Sequence, residues 1–81
     1  RIDFMNPVAP ILDCRGLVCP MPIIQVRLKT NLMSKGDKLV VLADDETFDS
    51  EFARFCQLAD IRLIEKRYHG DFHEYFIESI L

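Results

Sequence analysis

Cys19 is the side chain whose type and surroundings most suggest chemistry. It is followed by Pro20, Met21 and Pro22, and behind them Met21, Ile24, Leu28 and Leu32 recur at helical spacing. Gln25, Arg27 and Lys29 fall on the other side of the same wheel. A helix over about Pro20 to Met33 would therefore begin at the cysteine, with Gly36 just beyond its end. Proline is tolerated in a first turn, where its missing N–H has no intrahelical partner. Thiolate, not thiol, is the nucleophile, and the positive end of a helix dipole stabilises it. With Cys19 as N-cap, Pro20 and Pro22 have no N–H to give, so only the Met21 amide remains to bond the sulfur. The expectation is a moderately activated thiol on a stiff turn, with Arg15 as the nearest cation in sequence. No histidine lies near Cys19 in sequence, and a Cys–His hydrolase needs its base within hydrogen-bond reach. An exposed thiol on so small a scaffold suits a carrier that receives a group on sulfur and hands it on. The alternative is that Cys19 is only a small cap residue in a proline-rich turn.

The other reactive side chains have weaker claims. Cys14 could act as a resolving thiol for Cys19, or simply end a strand as a small residue. Cys56 falls on an aromatic helix face and reads as core. His69 and His73 flank a turn with Asp71 between them, but a structural zinc site needs a closed set of four ligands. No metal and no cofactor is expected. Asp44, Asp45 and Glu46 read as a solvated acidic loop leading to a helix N-terminus rather than as a cation site. Phe48, Phe52 and Phe55 at helical spacing read as core, not as a stacking platform for bases. Lys29, Lys35 and Lys38 around the end of the first helix are either solvated or a contact for an acidic partner.

The elements that must position Cys19 follow from pattern. Ile11 to Cys14 is a short strand ending at Gly16, and Leu39 to Ala43 is an apolar, β-branched run that reads as a buried strand. Phe48, Phe52, Phe55, Cys56 and Ala59 mark one face of a second helix. Ile61 to Tyr68, the turn His69-Gly70-Asp71 and Phe72 to Ile80 form a hairpin. The order β-α-β-α-β-β predicts an α/β fold of the α+β type. It is a two-layer sandwich with two helices packed on one face of a four-stranded mixed sheet. The opposite face would be partly exposed, as the alternation of Arg62, Ile64, Lys66 and Tyr68 suggests. Residues 1–10 carry two prolines and no periodicity and read as a loose arm ahead of one domain over residues 11–81. Met5 is a candidate native start, which would make Arg1 to Phe4 an appended segment.

Composition narrows the function classes. With 81 residues the chain has room for one domain and no second, and a domain this small buries only about 60% of its unfolded surface. A net charge of −3 argues against a protein that grips nucleic acid by its phosphates. No apolar run approaches the roughly 20 residues of a membrane span. Three cysteines cannot all pair internally, so the thiols are expected to be reduced and the protein cytoplasmic.

The stretch Leu12-Asp13-Cys14-Arg15-Gly16-Leu17-Val18-Cys19-Pro20-Met21-Pro22 resembles the signature of the TusA (SirA-like) family of small sulfur carriers. That pattern is Leu-Asp-x-Arg-Gly-Leu-x-Cys-Pro-x-Pro. The resemblance continues through Gly36-Asp37, Ala43-Asp44-Asp45 and Phe55-Cys56. Two departures fall at the start of the second helix. Glu46 stands where relatives often have proline, and Glu51-Phe52 where Asp-Ile is frequent. The resemblance implies the same β-α-β-α-β-β sandwich and a persulfide on Cys19. It implies that Cys19 takes sulfur from a cysteine desulfurase and relays it to a downstream acceptor protein. The chain of transfers would run toward tRNA 2-thiouridine, molybdenum cofactor or another sulfur compound. Asp13, Arg15, Gly16, Pro20, Met21 and Pro22 would be supporting or docking residues, with Cys14 as a possible secondary thiol. No direct nucleic-acid contact is expected, and a carrier that visits several partners works well as a monomer. The competing class is a non-catalytic binding or regulatory module that uses the exposed sheet face, with Cys19 as a cap alone.

Overall fold

In the computed structural model the described residues are 9–80. Six elements follow in order: β1 (Ile11–Asp13), α1 (Met21–Thr30), β2 (Lys38–Ala43), α2 (Glu46–Leu58), β3 (Ile61–Tyr68) and β4 (His73–Ser79). The sheet order is β1-β2-β4-β3, with β1 parallel to β2 and both other pairings antiparallel. This is the mixed four-stranded α+β sandwich that the sequence pattern predicts. None of the helices among the described residues is long and apolar enough to cross a membrane. The loose arm expected over residues 1–10 lies outside the described residues except for Ala9 and Pro10. Pro10 is not loose, since its carbonyl accepts from the Val40 amide at 2.9 Å.

Alternation decides which side of each strand is buried. Leu39, Val41 and Ala43 of β2 and Tyr75 and Ile77 of β4 face the helices and are buried. Phe48, Phe52, Phe55 and Cys56 of α2 close the core from above, as their spacing predicts. Phe48 and Phe52 stack at 4.8 Å, and Tyr75 meets both rings edge-on at 5.4 and 4.9 Å. Such aromatic pairs contribute about 0.5–1.5 kcal/mol each beyond the area they bury. The Tyr75 hydroxyl, which would be costly unpaired, donates to Asp49 at 2.9 Å, and Lys66 reaches the same carboxylate at 3.0 Å.

Two expectations need correction. In α1 the stripe Met21, Ile24, Leu28 and Leu32 is not the core face. These residues are exposed, Leu28 at 58% and Leu32 at 83%. The helix instead buries Pro22 and Val26, with Ile23 and Met33 packed partly behind them. Both sides of this helix are apolar, so periodicity did not identify the inner one. In β3 the alternation of Arg62, Ile64, Lys66 and Tyr68 does not lie on one face. A bulge between Leu63 and Glu65 inserts a residue and reverses the phase. Arg62 therefore faces away from the helices beside Glu78, whereas Lys66 turns toward α2 and Asp49.

Candidate thiol site at the sheet end

Both helices connect parallel strands, β1 to β2 and β2 to β3, so both start at the same end of the sheet. That end carries the loop from Cys14 to Pro20, the Asp44–Asp45 turn and the start of β4. The loop is tied down at several points. The Cys14 amide continues the ladder to the Leu42 carbonyl at 2.7 Å, and the Leu17 amide bonds back to the Cys14 carbonyl at 3.2 Å. Gly16 adopts a φ of 86°, a region that disfavours a Cβ, and its amide bonds both oxygens of Asp44 at 3.0 Å. Asp13 and Arg15 form a two-pronged ion pair at 2.9 and 2.8 Å, and the Arg15 guanidinium lies 4.8 Å from the Phe72 ring centre. The Arg15 hydrogen bond holds the Asp13 carboxyl down at about 2.

Cys19 is a free, half-buried thiol immediately before α1, and its bond to Pro20 is cis. It is not the helix cap. Pro20 occupies that position, with no side-chain capping bond. The Met21 amide, the donor expected for sulfur, bonds the Val18 carbonyl at 2.9 Å instead. The thiol is therefore not activated as the sequence suggests. Desolvation, followed by the charges of Asp45 and Glu51, pushes it up from the ordinary cysteine value. Arg15, already engaged by Asp13, is not among the causes that set the thiol's acidity.

Of the supporting residues, Asp13, Arg15 and Gly16 come together in one bonded loop. Pro20 and Met21 are exposed beside Cys19, whereas Pro22 is fully buried and serves packing rather than contact. Cys14 is buried and unpaired, and burial with the Asp13 charge pushes its thiol up. Cys56 is core, and burial pushes it up to about 11. His69 pairs with Glu74 at 2.9 Å and stacks on Phe72, while His73 lies between Tyr68 and Tyr75. Among the described residues no group of three or more His, Cys, Asp or Glu is placed to hold a metal ion.

Sequence reasoning read Asp44 and Asp45 only as a solvated acidic loop and Phe72 only as the start of a strand, and so missed what the three do at the site. Asp44 anchors the thiol loop, and Phe72 supports Arg15. Asp45 both caps α2, accepting from the Phe48 amide at 3.1 Å, and bears on Cys19. Only the cap had a local signal, an aspartate three residues before the first buried phenylalanine. The contacts of Asp44 and Phe72 join segments far apart in sequence and have none.

Beside the thiol, Val18, Met21, Ile24 and Leu28 form an exposed apolar strip along α1. A half-exposed thiol on a fixed loop, with the other two thiols buried, fits a protein that carries a group on sulfur. Comparison with protein families agrees: residues 11–79 match the family model described as sulfurtransferase TusA. That match spans nearly all the described fold, and on it the chain belongs to the TusA sulfurtransferase family of sulfur carriers.

Proposed function

We propose that Cys19 carries sulfur as a persulfide in a cytoplasmic relay, taking it from a cysteine desulfurase and passing it to an acceptor protein. The observation that carries this reading is accessibility. Cys19 is half-buried in a motif-bearing loop, whereas Cys14 and Cys56 are buried. In the loading step the Cys19 thiolate attacks the outer sulfur of the donor's persulfide. The donor's S–S bond breaks, its cysteine leaves as thiolate, and a new S–S bond forms on Cys19. No net oxidation occurs. In unloading, an acceptor thiolate attacks the outer sulfur and Cys19 leaves as thiolate. Because desolvation and the charges of Asp45 and Glu51 disfavour the Cys19 thiolate, its proton is lost on docking, to a base or beside a cation on the partner. The apolar strip of α1 provides a surface on which such a partner can seat. Asp13, Arg15, Gly16 and Pro22 hold the loop, and Pro20 and Met21 border the thiol.

Incubation with a cysteine desulfurase and cysteine is expected to add one sulfur, about 32 Da, to this protein. Cys19→Ser should abolish the gain and Cys56→Ser should keep it. Sulfur found on Cys14 or Cys56 would overturn the assignment. The relay's end product is proposed to be tRNA 2-thiouridine. A thiouridine-deficient strain should then be restored by the wild type but not by Cys19→Ser, and restoration by both would favour a non-catalytic binding module.

A further inference from the structure

The helices cover one side of the sheet, and the other side carries an ordered pattern of its own. Across its middle run Ile11, Val40 and Phe76, in register with each other and with Glu65 on β3. Ile11 is 62% exposed. On one side of this row Lys38, Glu78 and Arg62 lie side by side, and Glu78 pairs with both cations. On the other side lie Asp13, Leu42, Glu74 and Arg67. An apolar centre framed by charges is the layout of an interface. We propose that it receives a second copy of this chain, face to face, about a two-fold axis parallel to the strands and midway between β2 and β4.

The charge order selects both the occupant and the axis. The strand order β1-β2-β4-β3 lets this axis exchange β2 with β4 and β1 with β3. Val40 then faces Phe76 of the second copy, Lys38 faces its Glu78, and Asp13, which pairs with Arg15, faces its Arg67, which pairs with Glu65 in its own chain. Leu42 meets the aliphatic stem of its Glu74, and Ile11 meets that of its Glu65 at the margin. A two-fold axis across the strands would instead set Glu78 against Glu74 and Arg62 against Arg67, like against like. Packed sheets lie about 10 Å apart, a gap that lysine, arginine and glutamate side chains bridge from both sides. An axis along the strands leaves both Cys19 loops at the same end of the dimer, free of the interface. The pairing is independent of the sulfur-relay reading.

Sedimentation equilibrium of the full chain in reductant, from about 10 μM to about 1 mM, tests the pairing. The apparent mass should rise above 9.4 kDa toward twice that value with concentration. Phe76→Glu and Lys38→Glu should each weaken association by about tenfold or more, and adding Glu78→Lys to Lys38→Glu should restore it. Leu28→Glu, on the exposed strip of α1, should leave association unchanged. Circular dichroism melting of each variant separates dissociation from unfolding, and Lys38→Glu, at an exposed position, keeps the test decisive if Phe76→Glu does not fold. A wild type that stays at 9.4 kDa throughout, or a dimer that survives Phe76→Glu, overturns the proposal. A dimer indifferent to Lys38→Glu overturns its axis.

Discussion

At Cys19 the thiolate is disfavoured, first by desolvation and then by the charges of Asp45 and Glu51. The thiolate fraction at pH 7 is therefore smaller than for a free cysteine. Of the two carboxylates Glu51 is the cleaner to remove, because it is exposed on α2 whereas Asp45 also caps that helix. Glu51→Gln is expected to speed alkylation of Cys19 by iodoacetamide at pH 7 by about two- to threefold, with no loss of fold. Mass spectrometry of the labelled peptide would read this directly, since Cys14 and Cys56 are buried and react slowly. An unchanged rate would mean that the Glu51 charge does not weigh on the sulfur.

At the scale of elements, α1 has two apolar sides with different uses. Val26 is fully buried against the sheet, and Leu28 is exposed. Val26→Ala should cost about 2 kcal/mol in urea unfolding, whereas Leu28→Gln should change stability by less than about 0.5 kcal/mol. If Leu28→Gln nevertheless slows sulfur loading, the strip has a role in contact rather than in folding. The same helix shows where sequence reading stops. Strand β2, helix α2 and the hairpin were legible because each has one dominant period or turn: Leu39 to Ala43, the four core residues of α2, and Gly70 at a φ of 96°. Helix α1 itself was legible but its inner side was not, because Ile23 and Val26 compete with Ile24 and Leu28 for it. The β3 bulge was not legible either, because one inserted residue leaves no mark in composition. For the site, the position of Cys19 at a helix start was legible. Its protonation was not, because Val18 takes the Met21 amide and Asp45 and Glu51 approach from another helix.

For the whole molecule, stability in acid depends on carboxylates shared between elements. Asp49 of α2 accepts from Tyr75 of β4 and pairs with Lys66 of β3. Burial raises its pKa, but the hydrogen bonds from Lys66 and Tyr75 outweigh this, and the net direction is downward. A carboxyl lowered in the folded state contributes stability that is complete above its unfolded value. That contribution is lost as pH falls from about 4 through the lowered value. Asp13, held down at about 2 by Arg15, and Glu78, lowered by Arg62, act in the same direction. Urea midpoints measured across this range should fall with pH, and Asp49→Asn should flatten the fall. Asp49→Ala leaves the buried Tyr75 hydroxyl without this acceptor and should cost about 1–3 kcal/mol at neutral pH.

The ties that hold the Cys14–Pro20 loop have a mechanical consequence. The Cys14 and Gly16 amides are fastened to Leu42 and Asp44 at the end of β2, so the Cys19 sulfur, the reacting atom of the proposed relay, rides on the sheet as on a rigid lever. A tilt of the body against a partner is then carried undamped to sulfur. A displacement of only about 1 Å at a reacting atom can slow a transfer on the order of a hundredfold. Discrimination between a right and a wrong partner can therefore be set far down α1, by contacts that aim the thiol without touching it.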